Sequence, residues 1–366
     1  MNASSPAAAP PAHPFPYAVV IGRFQPLHHG HQRLIEQALR VARRVIVVVG
    51  SDRQPRSVRN PFTLDERERM VRACLHGQAE QMRVSVAGVG DSPYNDQLWI
   101  ASLQQAVDRL IAQDGADPAH ARVALVGHLK DASSYYLRLF PRWEFVPNEA
   151  VQSIHATEVR QLYFDPERRG RIPPDALPEG TASFLAQFAE SADYAALVEE
   201  RAFLDDYRDK YRYAGSEFPP IFTTVDAVVV EAGHILLVQR KFQPGRGAWA
   251  LPGGFVGQNE RLLDAAIREL KEETRLKVPV PVLHGSVKGR EVFDAPQRSQ
   301  RGRTITHAFF FELAHNQWTG LTEVRAADDA AQARWVPLAE FLDMRERMYE
   351  DHYFIANHFL GGLGKN

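Results

Sequence analysis

The sequence predicts an α/β protein with two domains, and three observations support this prediction. In the N-terminal half, apolar runs alternate with helical segments, as in the succession of Ala18–Ile21, the helical segment Gly30–Arg43 and the strand Val45–Val49. Because parallel strands are joined by crossover helices, this alternation favours a parallel sheet with helices on both faces. Further along, apolar runs at 225–230 and 235–239 flank a short polar turn, which indicates an antiparallel hairpin. The 366 residues also suit two cores better than one.

The remaining elements of the N-terminal half follow from helix caps and apolar runs. Thr63 and Glu66 form a capping box that predicts a helix ending near Leu75. Further strands are predicted at 84–89, 122–127 and 143–146, with helices near 99–112 and 132–139. Ligands of a parallel sheet bind at the carboxyl ends of its strands, and we expect the first functional site there.

Composition and charge exclude several classes of protein. The chain is 45% hydrophobic and 24% charged with a net charge of −2, which is typical of a soluble globular protein and argues against a nucleic-acid-binding surface. The clustered Arg298, Arg301 and Arg303 are interpreted as part of a flexible loop. The single cysteine, Cys74, lies on the apolar face of a predicted helix and is expected to be a buried structural thiol. The Ala- and Pro-rich residues 1–16 indicate a disordered tail, no stretch is of membrane-spanning length, and we expect a cytoplasmic protein.

Domain boundaries are predicted where the composition shifts. Residues 168–180 are rich in proline, glycine and charge, and 194–211 predicts a highly charged amphipathic helix that could belong to either domain. We therefore predict a first domain over 17–182, a helical linker over 183–219 and a second domain over 220–366.

The first candidate site directly follows the first predicted strand. Residues Gly22 to His31 are Gly-Arg-Phe-Gln-Pro-Leu-His-His-Gly-His, so that two histidines lie beside a helix N-terminus. Backbone N–H groups and the helix dipole attract an anion there, and the imidazoles of His28 and His31 can donate further hydrogen bonds to it. The alternative is a pair of surface histidines at a capped helix. The segment predicts a site for nucleotide phosphates.

The same segment resembles the signature of nucleotidyltransferases with a His-x-Gly-His motif, and in particular that of archaeal-type nicotinamide mononucleotide (NMN) adenylyltransferases. Later segments resemble this family in order: they are Gly50–Arg53, Asn60–Thr63 with Glu66 and Arg67, Tyr94–Asp96 with Trp99, Gly127–Asp131 with Ser134–Tyr136, and Ile154–Arg160. In the last of them, His155 replaces the family's serine. The resemblance covers about residues 17–164 and implies a Rossmann-like nucleotidyltransferase domain.

This resemblance implies roles for individual residues. The catalytic residues would be His28, His31 and Arg160, with the histidines on the phosphates of ATP and Arg160, together with Thr157, on the leaving pyrophosphate. Asn95 and Trp99 would hold the nicotinamide end, although the tryptophan could instead be part of the helix core. The other implied substrate-binding residues are Gly22, Arg23, Phe24, Gly127, Lys130 and Asp131.

The second candidate site is a glutamate-rich helix predicted over Leu262–Thr274. Glu269, Glu272 and Glu273 fall at i, i+3 and i+4, so that three carboxylates crowd one face of it. A divalent cation would relieve their repulsion, and oxygen ligands favour Mg²⁺, with Mn²⁺ as an alternative. Arg268 lies four residues before Glu272 and can orient a carboxylate. A solvated helix with salt bridges is the alternative.

From Gly254 through Glu260 to Glu273 the chain resembles the Nudix box, with Arg275 where the box has a glycine. Residues Trp249–Val256 resemble the ADP-ribose pyrophosphatase branch of that family. The resemblance implies an α+β domain, an α/β/α sandwich with a mixed sheet.

The Nudix resemblance also implies roles for side chains in this half. Glu269 and Glu273 would be the principal metal ligands, and Glu272 would be a ligand or a general base, with Arg268 beside them. Candidate substrate-binding residues are Arg240, Trp249 and Gly254, together with Arg290. Trp249 and His307 could equally be core residues.

Together the two resemblances imply a bifunctional enzyme of NAD metabolism. The first domain would transfer an adenylyl group from ATP to NMN, giving NAD and pyrophosphate, and the second would hydrolyse ADP-ribose to AMP and ribose 5-phosphate. Three alternatives stay open: a different acceptor such as phosphopantetheine, a Nudix domain that senses nucleotides without hydrolysis, and a DNA-binding regulator. The last is disfavoured, because residues 344–359 contain no obvious basic recognition helix. We expect small-molecule nucleotides as partners, no nucleic acid and no membrane, and leave homo-oligomerisation open.

Overall fold

A computed structural model describes residues 13–128, 137–148, 155–168, 171–173, 175–211, 219–314 and 320–361. Within this part of the chain the strands form two separate sheets, one in each half. Lys130, Asp131 and most of the helix predicted near 132–139 lie outside the described residues. Among the helices that are described, none is long and apolar enough to cross a membrane.

The first sheet consists of five parallel strands in the order β3-β2-β1-β4-β5, which confirms the parallel α/β prediction. The strands are β1 (Phe15–Gly22), β2 (Ala42–Asp52), β3 (Val84–Gly90), β4 (Val123–Gly127) and β5 (Glu144–Pro147). The helices among and after them are α1 (His29–Val41), α2 (Leu64–Ala73), α3 (Gln78–Gln81), α4 (Asp96–Gln113) and α5 (Ala156–Tyr163). The predicted tail 1–16 is too long, because Phe15 already pairs with Ala42.

The ends of two helices show how the local sequence determines them. At the start of α2, the Thr63 hydroxyl accepts a hydrogen bond from the N–H of Glu66, and the Glu66 carboxylate accepts one from the N–H of Thr63, which confirms the capping box. Cys74 ends this helix and is buried, which raises the pKa of its thiol to about 12 and agrees with a structural role. His155 is the N-cap of α5, but its side chain makes no capping hydrogen bond.

The first sheet separates two apolar layers and creates a crevice at its carboxyl edge. Ala18 and Val20 pack in one apolar cluster, whereas the alternating Tyr17 and Val19 pack in another on the opposite face. The strand order runs outward in both directions from β1, which pairs with β2 on one side and β4 on the other. Open α/β sheets bind ligands in the crevice at such a switch point. The loop after β1 and the end of β4 flank this crevice.

Two helices of the predicted linker pack on the first sheet instead. They are α6 (Glu179–Phe188) and α7 (Ala192–Tyr211). Leu185 and Leu204 are buried in the same apolar cluster as residues of β1 and β2. Because these helices share that core, the predicted linker 183–219 is not a separate unit, and we propose that the domain boundary follows α7.

The second sheet has seven strands and mixed directions, which confirms the predicted mixed sheet. The strands are β6 (Phe222–Glu231), β7 (His234–Arg240), β8 (Trp249–Ala250), β9 (Gly253–Phe255), β10 (Val287–Phe293), β11 (Thr304–Leu313) and β12 (Ala330–Pro337). The helices are α8 (Leu262–Thr274), α9 (Val280–Gly285), α10 (Leu338–Leu342) and α11 (His352–Phe359). β6 and β7 form the predicted antiparallel hairpin, and β11 is parallel to β6.

Helices cover both faces of the second sheet. Val225 of β6 packs with Ala265 and Leu270 of α8 in one buried cluster. Val228, which points to the other face, packs with Ile355 of α11 in a second cluster. The arrangement is the predicted α/β/α sandwich, and it holds the glutamate-rich helix α8 firmly against β6.

Candidate active sites

The loop between β1 and α1 places two histidine rings at the start of a helix. His28 is the N-cap of α1, and its Nδ1 accepts a hydrogen bond from the N–H of Gly30 at 3.1 Å. The Nδ1 of His31 accepts one from the N–H of His28 at 3.4 Å, and the two ring centroids lie 3.9 Å apart. Since both Nδ1 atoms accept, the proton of each neutral imidazole is on Nε2. Both Nε2–H groups are therefore set to donate to an oxyanion.

The surroundings of His31 keep its ring neutral. Burial, followed by the neighbouring His28 and Arg23, lowers the pKa of His31 well below its ordinary value. The ring of Phe24 packs against that of His31 at a centroid distance of 4.7 Å. Phe24 is itself fully buried, and a Cβ on Gly22 would come within 3.1 Å of its ring. Gly22 and Phe24 therefore shape the loop that presents the histidines.

Arg160 of α5 brings a buried cation to the same loop. Its Nη1 donates to the carbonyl oxygen of Gln25 at 2.6 Å, and its Nη2 donates to the Oγ1 of Thr157 at 3.2 Å. Burial, followed by the charges of Arg23 and Arg59, lowers the pKa of Arg160 to about 9. The guanidinium is still charged at neutral pH, and the mutual repulsion of the three arginines favours an anion between them.

Two residues to which the sequence analysis assigns no role hold this loop in place. The buried amide of Gln25 donates to the carbonyl oxygen of Phe62 at 2.9 Å and accepts from its N–H at 3.0 Å. Arg67 is 1% exposed and donates to the carbonyl oxygens of Arg23 at 3.1 Å and Gly50 at 2.6 Å. Arg67 thus ties the loop after β1 to β2. Its place on the apolar face of α2 was the signal in the sequence that could have identified it.

The residues expected at the nicotinamide end lie at the start of α4. Asn95 is the N-cap of α4, and its Oδ1 accepts from the N–H of Leu98 at 3.0 Å. Trp99 is half-buried against the core and also lines a cavity between the domains. Gly127 ends β4, where a Cβ would come within 2.8 Å of the Leu137 side chain. Close packing against Leu137 is therefore sufficient to explain why a glycine is required at position 127.

Arg268 is the centre of the second candidate site. Its guanidinium lies 2.7 Å from the carboxylate of Glu260, 2.8 Å from that of Glu269 and 2.9 Å from that of Glu272. The helix that carries three of these residues spans Leu262–Thr274, as the sequence predicts. Arg268 therefore pairs with two of the three carboxylates that were expected to repel one another, Glu269 and Glu272. Within the described ranges, no three His, Cys, Asp or Glu side chains are close enough in this arrangement to hold a metal ion.

Burial shifts the remaining carboxyl groups toward their neutral forms. The N–H of Gly253 donates to the Oε2 of Glu273 at 3.1 Å, but burial raises the pKa of Glu273 to about 8. Burial also raises the pKa of Glu269, whose carboxylate lies where a Cβ on Gly254 would come within 2.5 Å of it. Carboxylate oxygens are the donors that a hard divalent cation prefers, so the donor set of this site fits such an ion.

Arg240 and Trp249 are held by packing in the second domain. The Arg240 guanidinium lies 4.1 Å from the ring centroid of Tyr349, and its Nε donates to the carbonyl oxygen of Pro244 at 2.8 Å. Trp249 is 8% exposed within an apolar cluster, and the guanidinium of Arg334 lies 4.8 Å from its ring centroid. Trp249 therefore occupies a core position, which was its alternative interpretation, and it also borders the cavity between the domains.

Three further sequence predictions have different outcomes. Arg275 takes the left-handed conformation that the box glycine would take, with φ 48°. Arg290 and His307 line a separate cavity next to the start of α8. The flexible-loop interpretation is wrong for Arg298, which is 8% exposed and donates to both carboxylate oxygens of Asp351 at 2.9 Å. A buried carboxylate partner explains why this arginine is ordered.

Comparison with known proteins assigns a relative to each half of the chain. Residues 19–162 match the family described as cytidylyltransferase-like, and residues 221–358 match the NUDIX domain. A nicotinamide/nicotinic acid mononucleotide adenylyltransferase of Acinetobacter baylyi is 39% identical over 187 residues, which are 51% of this chain and 93% of that protein. An ADP-ribose pyrophosphatase of Methanocaldococcus jannaschii is 33% identical over 155 residues, which are 42% of this chain and 80% of that protein.

One solved structure is similar to nearly the whole chain. It is a bifunctional NMN adenylyltransferase/ADP ribose pyrophosphatase from Francisella tularensis, complexed with AMP and a Mn ion. The similarity covers 95% of this chain and 99% of that one, with 35% sequence identity and a TM-score of 0.86. Both candidate sites therefore lie in regions that this two-function relative shares.

Proposed function

We propose that this chain, which belongs to the family of bifunctional NMN adenylyltransferase/ADP-ribose pyrophosphatase proteins, carries out both of the family's reactions. The first is adenylyl transfer from ATP to NMN, and the second is hydrolysis of ADP-ribose to AMP and ribose 5-phosphate. The observation that carries the proposal is the pair of Nε2–H donors of His28 and His31 beside the buried Arg160 in one domain, with the carboxylate cluster around Arg268 in the other.

At the first site, catalysis is by positioning and charge stabilisation. An oxygen of the NMN phosphate attacks the α-phosphorus of ATP, and the bond from that phosphorus to the oxygen bridging to the β-phosphorus breaks, so that pyrophosphate leaves. The attacking oxygen is already anionic, and no protein base is needed. His28 and His31 donate to the phosphate oxygens, and Arg160 with Thr157 stabilises the departing pyrophosphate. Arg23 adds a further positive charge at the mouth of the site.

At the second site, the side chains prepare a place for a divalent cation and a water molecule. Glu269 and Glu273 would hold the ion, and Glu272 would act as ligand or general base, with Arg268 orienting its carboxylate. A bound Mg²⁺ would neutralise the pyrophosphate and lower the pKa of water. Water attacks one phosphorus of ADP-ribose, its proton passes to a carboxylate, and the bond to the bridging oxygen breaks. The second domain thereby releases AMP and ribose 5-phosphate.

The proposal is tested by giving the purified full chain two separate mixtures containing Mg²⁺ and resolving the products by chromatography. NMN with ATP should yield NAD and pyrophosphate, and ADP-ribose should yield AMP and ribose 5-phosphate. NAD without AMP would remove the hydrolase and favour a nucleotide-sensing Nudix domain. Formation of neither product would overturn the proposal, and a second pair of mixtures with Mn²⁺ excludes an unsuitable metal as the reason.

A further inference from the structure

A short segment of the first domain, residues 91–95, is attached to the second domain. Tyr94 packs against the apolar cluster of the second domain, and its ring lies 5.0 Å from that of Phe293 in an edge-on arrangement. This tyrosine is a first-domain residue by chain position, since it lies between β3 and α4. The side chain thus crosses the domain boundary and is fixed by the neighbour's core.

The hydroxyl of Tyr94 belongs to a buried hydrogen-bond network of the second domain. It donates to the Oδ2 of Asp351, the residue that precedes α11. Asp351 also accepts from the Nε and Nη2 of Arg298 at 2.9 Å each, and the guanidinium lies 3.9 Å from the Oδ2 of Asp226. Burial, followed by the charge of Asp351, raises the pKa of Tyr94 above its ordinary value, so the hydroxyl stays protonated and donates.

A second contact also binds the segment 91–95 to the second domain. The Nη2 of Arg345, in the second domain, donates to the carbonyl oxygen of Asp91 at 2.6 Å. Gly90 allows this approach, because a Cβ there would collide with the Arg345 guanidinium. The Asp91 carboxylate in turn accepts from the Oγ of Ser51 at 3.0 Å, within its own domain. Backbone at one end of the segment and a side chain at the other are therefore both bound to the second domain.

The segment 91–95 leads directly into the start of α4. Asn95 follows Tyr94 and caps α4 through Leu98, and Trp99 lies one turn further on. Trp99 lines a cavity of about 720 Å³ between the domains, and Asp351 lines the same cavity from the other side. A displacement of Tyr94 would move Asn95, the N-cap of α4, and with it Trp99, which faces this cavity.

We propose that Tyr94 is a positioning residue for recognition of the nicotinamide end of NMN, and that the second domain thereby completes the substrate site of the first. The inference rests on the proposed function, because it assumes that Asn95 and Trp99 contact this end of the substrate. The hydrogen bond from Tyr94 to Asp351 and the bond from Arg345 to Asp91 set where α4 begins. His28 and Arg160, the residues proposed to bind ATP, make the hydrogen bonds described above with Gly30, Gln25 and Thr157, outside this segment.

The test is the full-length variant Tyr94→Phe, which keeps the ring against Phe293 and removes only the hydroxyl. We expect the KM for NMN to rise about tenfold, the lower end of what a hydrogen bond to a charged group contributes, whereas the KM for ATP and the kcat change less than about twofold. A second variant, Arg345→Met, keeps the apolar part of the side chain and removes the hydrogen bond to Asp91. It should also raise the KM for NMN. Hydrolysis of ADP-ribose should be unchanged in Tyr94→Phe, because Asp351 keeps both bonds from Arg298.

The matched control is Tyr194→Phe, which removes a buried hydroxyl that donates to the carbonyl oxygen of Tyr163 inside the first domain. An NMN KM that is unchanged in Tyr94→Phe would overturn the inference. An equal rise of the KM for NMN and the KM for ATP in Tyr94→Phe, with the same rise in Tyr194→Phe, would also overturn it. That pattern would show that the whole first domain is destabilised. Failure of the wild-type chain to form NAD would refute the proposed function instead, and the two failures are thus distinguished.

Discussion

The two candidate sites handle a pyrophosphate group with opposite charges. The first domain presents imidazole N–H groups and the clustered guanidinium groups of Arg23, Arg59 and Arg160, which can bind an anion directly. The second domain presents carboxylates gathered on one arginine, which can bind an anion only through a cation. Adenylyl transfer needs donors on the leaving pyrophosphate, whereas hydrolysis needs an activated water. The difference in charge therefore reflects the difference in attacking group.

Burial moves the pKa of one ionisable group in each site toward neutrality. Burial and neighbouring arginines lower the pKa of Arg160 to about 9, and burial raises the pKa of Glu273 to about 8. A ligand of the opposite charge would stabilise the charged form of each group. Because the two sites use different residues and opposite charges, we predict that a substitution at one site leaves the reaction of the other site intact.

The largest separation of the two reactions is expected from Glu273→Gln. The amide cannot supply a negative ligand, and loss of several kcal/mol of charge stabilisation corresponds to a rate of ADP-ribose hydrolysis lower by about a thousandfold. Synthesis of NAD, measured on the same preparation, should not change. The exposed Glu323, which pairs with Lys277 at 2.7 Å, provides the control Glu323→Gln. Hydrolysis of ADP-ribose at the wild-type rate in Glu273→Gln would contradict the assignment of Glu273 as a metal ligand.

His31→Ala should have the converse effect. It removes one of the two Nε2–H donors, and the loss of one such donor lowers the rate of adenylyl transfer about a hundredfold to a thousandfold. ADP-ribose hydrolysis should stay at the wild-type rate. His76→Ala, at a histidine whose side chain is 73% exposed, is the matched control. Full NAD synthesis by His31→Ala would contradict the role of this ring.

A smaller effect is expected from Arg160→Lys, which keeps the charge and loses the planar fork. The lysine ammonium is a compact point charge without the planar fork that reaches Gln25 and Thr157, and we expect kcat/KM for ATP to fall about tenfold, as for loss of a hydrogen bond to a charged group. Steady-state kinetics with varied ATP measures this change, and Arg40→Lys on the exposed face of α1 is the control. A variant with wild-type kcat/KM would show that charge alone suffices there.

The smallest effect concerns stability at the junction of the two domains. Glu200 of α7 is buried and accepts from the N–H of Val58 at 3.1 Å, and burial raises its pKa from 4.5 to about 7. Between these values the unfolded carboxyl is ionised while the folded one stays protonated, so this group lowers the free energy of unfolding as pH rises.

The variant Glu200→Gln cannot titrate and tests that pH dependence. Relative to the wild-type chain, its free energy of unfolding should rise between pH 4 and pH 8 by an amount on the order of 3 kcal/mol. Urea denaturation at both pH values measures the difference, with Glu190→Gln at an exposed position as the control. A difference that is independent of pH would contradict the shifted pKa.

Local sequence was sufficient for much of the fold and for parts of both sites. The capping box of Thr63, the helix 262–274 and the hairpin of β6 and β7 depend on contacts within a few residues, and all three were predicted. The packing of α7 on the first core, in contrast, depends on surfaces far apart in the chain, and the charge of this helix suggested a linker.

Pairs that are distant in sequence explain the other misses. Arg298 was interpreted as a flexible residue because its partner Asp351 is 53 residues away. The contact between Tyr94 and Asp351 spans 257 residues. A pattern of spacing cannot indicate such a pair, because each side chain taken alone is typical of an exposed polar position.

The most direct test of the opposite charges of the two sites is Mn²⁺ binding in the presence of ADP-ribose. Mn²⁺ would be titrated into the wild-type chain, Glu273→Gln and His31→Ala and followed by electron paramagnetic resonance. We predict that Mn²⁺ binding is lost in Glu273→Gln and equal to wild type in His31→Ala. Retention of the ion by Glu273→Gln, or its loss from His31→Ala, would contradict the division into an anion-binding first site and a cation-binding second site.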